Sequence, residues 1–209
     1  MLIYIYLFFK KYRPRIKGFL FKAFFLSKKL KVGNSFKCDS FPDVNITDNA
    51  QVVIGNNVYF KREVELRAHG DSRIRIGDAV KIDRGVRLLS ANQAYIDIRK
   101  GVRIGLYSVF NGGDSILVNE NSLISGFVYL QTSMHKYKKS DAIKNQGYEH
   151  GEIRLGTDVW LGAHSVILPG ITLGNGAIVG SNSVVTRDID ENTIVGGVPA
   201  KKIKQRFNS

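Results

Sequence analysis

The sequence predicts an all-β fold, a three-sided parallel β-helix. Three observations predict it: an aliphatic residue at every sixth position, a small or apolar residue two places before each, and glycine often just after. From Leu155 the aliphatic beat runs through Leu161, Ile167, Leu173, Val179 and Val185. The positions two before are Ile153, Val159, Ser165, Ile171, Ala177 and Ser183; Gly156, Gly162, Gly174 and Gly180 follow the beat. The same pattern recurs upstream in blocks, as Ile54, Phe60, Leu66, then Ile76, Ile82, Leu88, Ala94, then Ile98, Ile104, Phe110, Ile116, and then Ile124, Leu130.

A period of six is neither the 3.6 of a helix nor the 2 of a plain alternating strand. It fits a strand of about four residues closed by a turn of about two, giving one flat face. Three such faces make a coil of roughly 18 residues whose aliphatic side chains point inward and are buried only by neighbouring coils. Glycine is expected where the backbone turns sharply. Nineteen hexads give about six coils, a prism on the order of 30 Å long at about 4.8 Å per strand pairing. The body is expected over residues 44–195, preceded by an arm (1–43) and followed by a tail (196–209).

The beat slips slightly between Leu66 and Ile76, Ala94 and Ile98, and Ile116 and Ile124. Its longest interruption lies between Leu130 and Leu155, where Ser133 to Gly151 is polar and rich in Lys, Gly, Asn and His. One loop near 131–152 is therefore expected to leave the solenoid, and a scaffold that ejects a single long loop commonly does so for function.

Charge separates the arm from the body. The 209-residue chain carries a formal +13. Residues 1–37 supply ten cations and no acid, so everything after them is nearly balanced. Pro14 and Gly18 are expected to break this arm into two short, helical pieces. Its mix of Phe, Leu and Ile with Lys and Arg allows two readings, a surface that meets an anionic membrane or a cap on the first coil with solvated lysines. No nucleic-acid module accompanies the basic arm. Met1–Phe9 is apolar, but the cations follow it, unlike a signal peptide, and nine residues are too few to span a bilayer. A single cysteine, Cys38, excludes an intrachain disulfide and a thiolate metal cluster, which suits a reducing, cytoplasmic setting.

The stretch from Ile153 to Ile203 carries VWLG at 159–162, ILPGITLG at 167–174, SVVTRD at 183–188 and GGVPAK at 196–201. These motifs resemble the maltose/galactoside acetyltransferase branch of the hexapeptide-repeat acyltransferases, which includes polysaccharide O-acetyltransferases. Parallel crossovers are nearly always right-handed; this family is an exception, so the resemblance implies a left-handed β-helix. It also implies a homotrimer, with acetyl-CoA and acceptor between adjacent prisms and no metal. Residues 1–43 do not resemble the helical N-terminal segment of the maltose and galactoside enzymes, so their acceptor does not carry over.

In that family a histidine of the long loop, about two dozen residues before the Trp of the VWLG-type motif, is the general base. His135 stands at that distance before Trp160. A hydroxyl is a poor nucleophile until a base takes its proton, and imidazole is suited to that near neutral pH. The bland alternative is a solvated loop histidine. The resemblance further implies that Trp160 packs on the pantetheine arm of CoA, against an alternative as a surface or interface aromatic. Gly162, Ala163, Gly180 and Ser181 would line the CoA groove, and Lys201 and Lys202 would meet its phosphates, against an alternative as a solvated tail. Asn111 and His150 are candidate acceptor contacts. His164 is expected to be structural and His69 to lie in a surface turn. The function implied is acetylation of a sugar hydroxyl in surface-polysaccharide synthesis, on a free, nucleotide-linked or lipid-linked acceptor. N-acetylation of an amino-sugar nucleotide and a non-catalytic β-helical scaffold are the alternatives.

Overall fold

The computed structural model describes residues 2–207, with side chains described from Tyr12 onward. It is a left-handed parallel β-solenoid of about seven turns with one N-terminal helix. Face one stacks seven strands from Leu30–Val32 to Thr172–Leu173. Face two runs from Lys37–Cys38 through Ile178–Val179 to Thr193–Gly196, and ends in the antiparallel strand Lys201–Gln205. Face three stacks seven strands from Asp43–Ile46 to Val184–Val185. The first turn is built from Leu30–Val32, Lys37–Cys38 and Asp43–Ile46, so the solenoid begins inside the segment expected to be an arm, and the turns exceed the six counted from hexads.

Two further expectations need correction. Turns that advance by 18 residues occur only late in the chain, where Arg154 pairs with Thr172 and the Thr157 amide meets Asn175. Early turns are wider: Leu30 pairs with Val52, Val52 with Ile74 and Ile74 with Ile96, steps of 22 residues. Faces one and three of these turns use four-residue strands that bury alternate side chains, such as Leu66 with Ala68 and Ile74 with Ile76. A third inward position on these faces, as in Val64, Leu66 and Ala68, is what interrupted the beat of six.

The glycines that follow the aliphatic positions are not the sharply turned residues. The left-handed backbone (φ between 50° and 61°) falls one place before the small inward residue, at Asn57, Ala79, Asp158, His164 and Asn182 among others. Gly162 is required by close stacking instead: a Cβ there would lie 2.5 Å from the Ser181 amide nitrogen of the next turn.

Helix α1 (Leu2–Phe25) is continuous through Pro14, so the expected break is absent. Proline removes one backbone hydrogen bond and crowds the preceding turn; docking of the following turns on the solenoid offsets that cost. Phe21 is buried against Phe36 and Phe41, with ring centroids 5.7 and 5.9 Å away, and Gly18 rides on the Phe36–Lys37 backbone with no room for a side chain. The helix thus closes one end of the prism, and the hairpin of Thr193–Gly196 with Lys201–Gln205 covers the other, as an apolar solenoid requires at its ends.

Candidate active site

The excursion from the solenoid is an ordered β-hairpin. Ser133–His135 pairs antiparallel with Tyr148–His150, bringing His135 opposite Tyr148, and a short 3₁₀ turn, Ile143–Asn145, lies between them. Its base is anchored by buried Thr132, whose Oγ1 donates to the Asn111 carbonyl (2.8 Å) and accepts from the Asp114 amide (3.0 Å). Gly151 N–H donates to the Thr132 carbonyl at 2.9 Å, tying the two legs together.

The hairpin holds its histidines differently. The exposed His135 ring lies 4.3 Å from the Tyr148 ring at 38°, which restrains its orientation while leaving it open to an incoming group. His150 Nδ1 shares a 2.8 Å hydrogen bond with Ser133 Oγ. A side chain on Gly113 would collide with that Ser133 hydroxyl, so a glycine there makes room for the pair. Asn111 joins the base: its Nδ2 donates to Gln131 Oε1 at 2.9 Å, and Gln131 Nε2 in turn donates to the Ser133 carbonyl. Asn111, Gln131, Ser133, His135 and His150 therefore form one polar neighbourhood on the edge between face three and face one.

The residues expected to meet CoA gather elsewhere. Trp160 points outward from face two, 46% exposed, its indole N–H donating to Ser125 Oγ at 3.2 Å. Gly162 and Ala163, and Gly180 and Ser181 one turn later, form the edge between faces two and three; the Asn182 amide donates to the Ala163 carbonyl at 2.9 Å. Lys201 and Lys202 lie on the terminal strand, opposite Gly196 and Val195, and both are exposed. This is a strip of small residues with an aromatic ring at one side and two ammonium groups at its end, a surface that can accept an extended thiol-bearing arm and its phosphates.

Face three lies between the two groups. In its later turns the outward residues Leu89, Val109, Tyr129, Val166 and Val184 are apolar or aromatic and mostly half-buried, while Glu65, Arg67 and Arg87 stand outward in the earlier turns. Among the described residues no hydrogen bond or ring contact joins the His135 hairpin to the Trp160–Ser181 strip. A single chain presents the two halves on opposite edges of one face.

His164 stacks on Phe127 (4.7 Å, 2°), which in turn meets Tyr107 at 5.5 Å, a ladder at successive turns of the two–three edge. His69 sits in a turn, its Nδ1 2.9 Å from Thr47 Oγ1. Cys38 is fully buried, and burial pushes its thiol up to about 11, so it stays protonated and unreactive. Among the described residues no group of three or more His, Cys, Asp or Glu is placed to hold a metal ion. Sequence reasoning missed Tyr148, Gln131 and Ser125; their roles arise from hairpin pairing and turn stacking, and no local motif marks them.

Comparison with known proteins adds the following. Residues 152–187 match the family model described as bacterial transferase hexapeptide (six repeats). The chain is 32% identical over 143 residues to the Escherichia coli (strain K12) protein named "Putative lipopolysaccharide biosynthesis O-acetyl transferase WbbJ", covering 65% of this chain and 73% of that one. It is 30% identical over 159 residues to the Escherichia coli dTDP-4-amino-4,6-dideoxy-D-glucose acyltransferase, covering 73% and 81%. A solved structure of a variant of AntD, an N-acyltransferase from Bacillus cereus in complex with dTDP and coenzyme A, shares the fold with a TM-score of 0.60 at 24% identity, over 90% of this chain and 87% of that one.

Proposed function

This chain belongs to the hexapeptide-repeat acyltransferases, and from that premise we propose that it transfers an acetyl group from acetyl-CoA to a sugar hydroxyl in surface-polysaccharide biosynthesis, with His135 as general base. The observation that carries the reading is the hairpin: it holds an exposed imidazole against Tyr148 on an ordered strand pair that leaves an otherwise regular solenoid. Neutral His135 takes the proton of the acceptor hydroxyl as its oxygen bonds to the thioester carbonyl carbon. The tetrahedral oxyanion is held by a backbone N–H. Collapse breaks the carbon–sulfur bond, and the thiolate of CoA leaves with the proton that His135 carried.

The cofactor reading rests on the strip from Trp160 to Ser181 and on Lys201 and Lys202. Because that strip and His135 occupy opposite edges of face three, we place the working site between two copies, the hairpin of one facing the strip of the next. A closed ring of three prisms repeats that contact without leaving a free edge, and the outward apolar residues of face three suit burial there. Asn111 and His150, beside the hairpin base, are the acceptor contacts of this reading. Among the described residues no helix is long and apolar enough to cross a membrane; on this reading the enzyme works on the cytoplasmic side of the membrane, with residues 1–37 holding it at the surface. A second reading, N-acylation of an amino-sugar nucleotide, is favoured by the likeness to the dTDP-amino-sugar acyltransferase, and His135 would serve it equally.

Release of free thiol from acetyl-CoA across a panel of sugars, nucleotide-sugars and amino-sugar nucleotides tests both. The His135→Ala enzyme should bind acetyl-CoA normally and lose about 10²–10⁴ in kcat. Turnover by that variant equal to the parent's would remove His135 from the chemistry. Acceptance only of the amino sugar would select the second reading.

A further inference from the structure

We propose that the outward face of α1 is the docking surface for a bilayer rich in acidic phospholipid. This sharpens the membrane placement given above and stands independently of acetyl transfer.

The helix has two apolar faces where a helix that only capped the solenoid would need one. At about 100° per residue, Gly18 and Phe21 fall on the inner side, where both are buried. Ile16, Phe19 and Phe24 fall on the outer side with Ala23, and they are 53%, 71% and 73% exposed. Phe25 and Phe41, 49% and 43% exposed and in ring contact, leave further apolar surface beside the C-terminal end of the helix. Large aromatic side chains held this far into solvent on successive helical turns are unusual unless something covers them.

Charge identifies what covers them. Arg15 and Lys22 border the outer stripe on one side; on the other, Arg13 and Lys17 flank Phe24. Among the described residues none of the cations from Arg13 to Lys37 is ion-paired. Lys17 and Lys22 donate only to neutral acceptors, the Asp39 carbonyl (2.6 Å), and the Gly33 carbonyl with Asn34 Oδ1 (3.2 and 3.1 Å), so their charges remain uncompensated. Beside the stripe a cleft of about 690 Å³ between α1 and the first turn is lined by Arg15, Lys22, Lys37, Phe19 and Phe36. An aromatic stripe between two rows of unneutralised cations matches an interface of acyl chains below phosphate headgroups. A uniformly acidic protein surface would match the cations but leave Phe19 and Phe24 in water.

The consequence for the enzyme is positional. The helix closes the end of the prism, and the His135 hairpin leaves the stack about four strand spacings further on. With about 4.8 Å per spacing and about 10 Å for the helix itself, docking would hold the hairpin roughly 30 Å from the membrane, within reach of a glycan built on a lipid carrier.

Flotation of the full-length protein with vesicles tests this. The protein should float with equal parts phosphatidylcholine and phosphatidylglycerol, fail to float with phosphatidylcholine alone, and be released as salt rises. Phe19→Ser with Phe24→Ser should weaken binding about 100-fold, since two large apolar side chains no longer enter the bilayer. Arg13→Gln with Arg15→Gln, which touches neither apolar face, should weaken it about 30-fold. Thermal unfolding and thiol release on a soluble acceptor should match the parent in both variants, so failure here is separable from failure of the catalytic reading. Flotation of both variants equal to the parent's would overturn the proposal. So would tight binding of an oligonucleotide by a parent that ignores the acidic vesicles.

Discussion

The first turns and the last turns of this solenoid obey different rules. Turns that advance by 22 residues give a wide prism in the N-terminal half, where ring and branched side chains such as Phe60, Ile74 and Ile96 fill the interior. Turns that advance by 18 residues give a narrow prism after Ile153, with Ala177, Ser165 and Ser183 at its inner corners. The hairpin stands at the change of width, where Ile116 pairs with Ile153, a step of 37 residues. Width is a matter of packing: wide turns bury more apolar surface and supply stability. Narrow turns, with small residues stacked at their edges, leave a surface that another molecule can approach closely. The comparison teaches that the hexad rule is strict where each face buries two residues and relaxed where it buries three.

Substitutions in the two halves should therefore fail in different ways. The largest effect is expected in the wide half. Phe21→Ala opens the end cap and should cost about 3–5 kcal/mol of stability, read by chemical denaturation, while kcat per folded molecule stays at the parent value. A lowered kcat at unchanged stability would break the division of labour. In the narrow half Trp160→Ala should do the reverse. Its exposed ring contributes little to the core, so unfolding should hardly move, whereas KM for acetyl-CoA should rise about tenfold as the proposed stacking on the pantetheine arm is lost.

The smallest effect concerns Glu65 on the wide half. Hydrogen bonding from Arg87, aided by the charge of Arg67, holds its carboxyl below the usual range. A carboxyl depressed by folding stabilises above its unfolded value, and that contribution fades as pH falls through the folded value. Acid titration of stability should show the parent losing slightly more than Glu65→Gln, by about 0.2–1 kcal/mol, because both arginines are half-exposed. Parallel acid curves for the two proteins would remove the pair from the stability of the wide half.

How much was legible follows the same boundary. The beat from Leu155 to Val185 announces the narrow turns outright, because every face buries the same two positions, the beat residue and the one two before it. In the wide turns Ala68 and Ser90 point inward as well, and spacing alone does not tell a third inward residue from a slip. Asn57, Asp158 and Asn182 fit their left-handed corners by residue type; Tyr107 and Phe127 occupy the same kind of corner without any such mark. The hairpin was legible as an interruption and His135 as its candidate base. Its internal pairing was not, since Tyr148–His150 is exposed throughout and has no burial rhythm to read. That Trp160 and His135 lie on opposite edges depends on where each turn closes, which no motif encodes.

The central claim is that His135 of one copy acts on acetyl-CoA lying along the Trp160–Ser181 strip of another. Co-refolding equal amounts of His135→Ala and Ser181→Trp, each inactive alone, tests it most directly. If the site forms between copies, mixed assemblies contain interfaces with one intact hairpin facing one intact strip, and activity should return to about a quarter of the parent's. Mixed assemblies that stay inactive would place both halves in one chain and contradict the account.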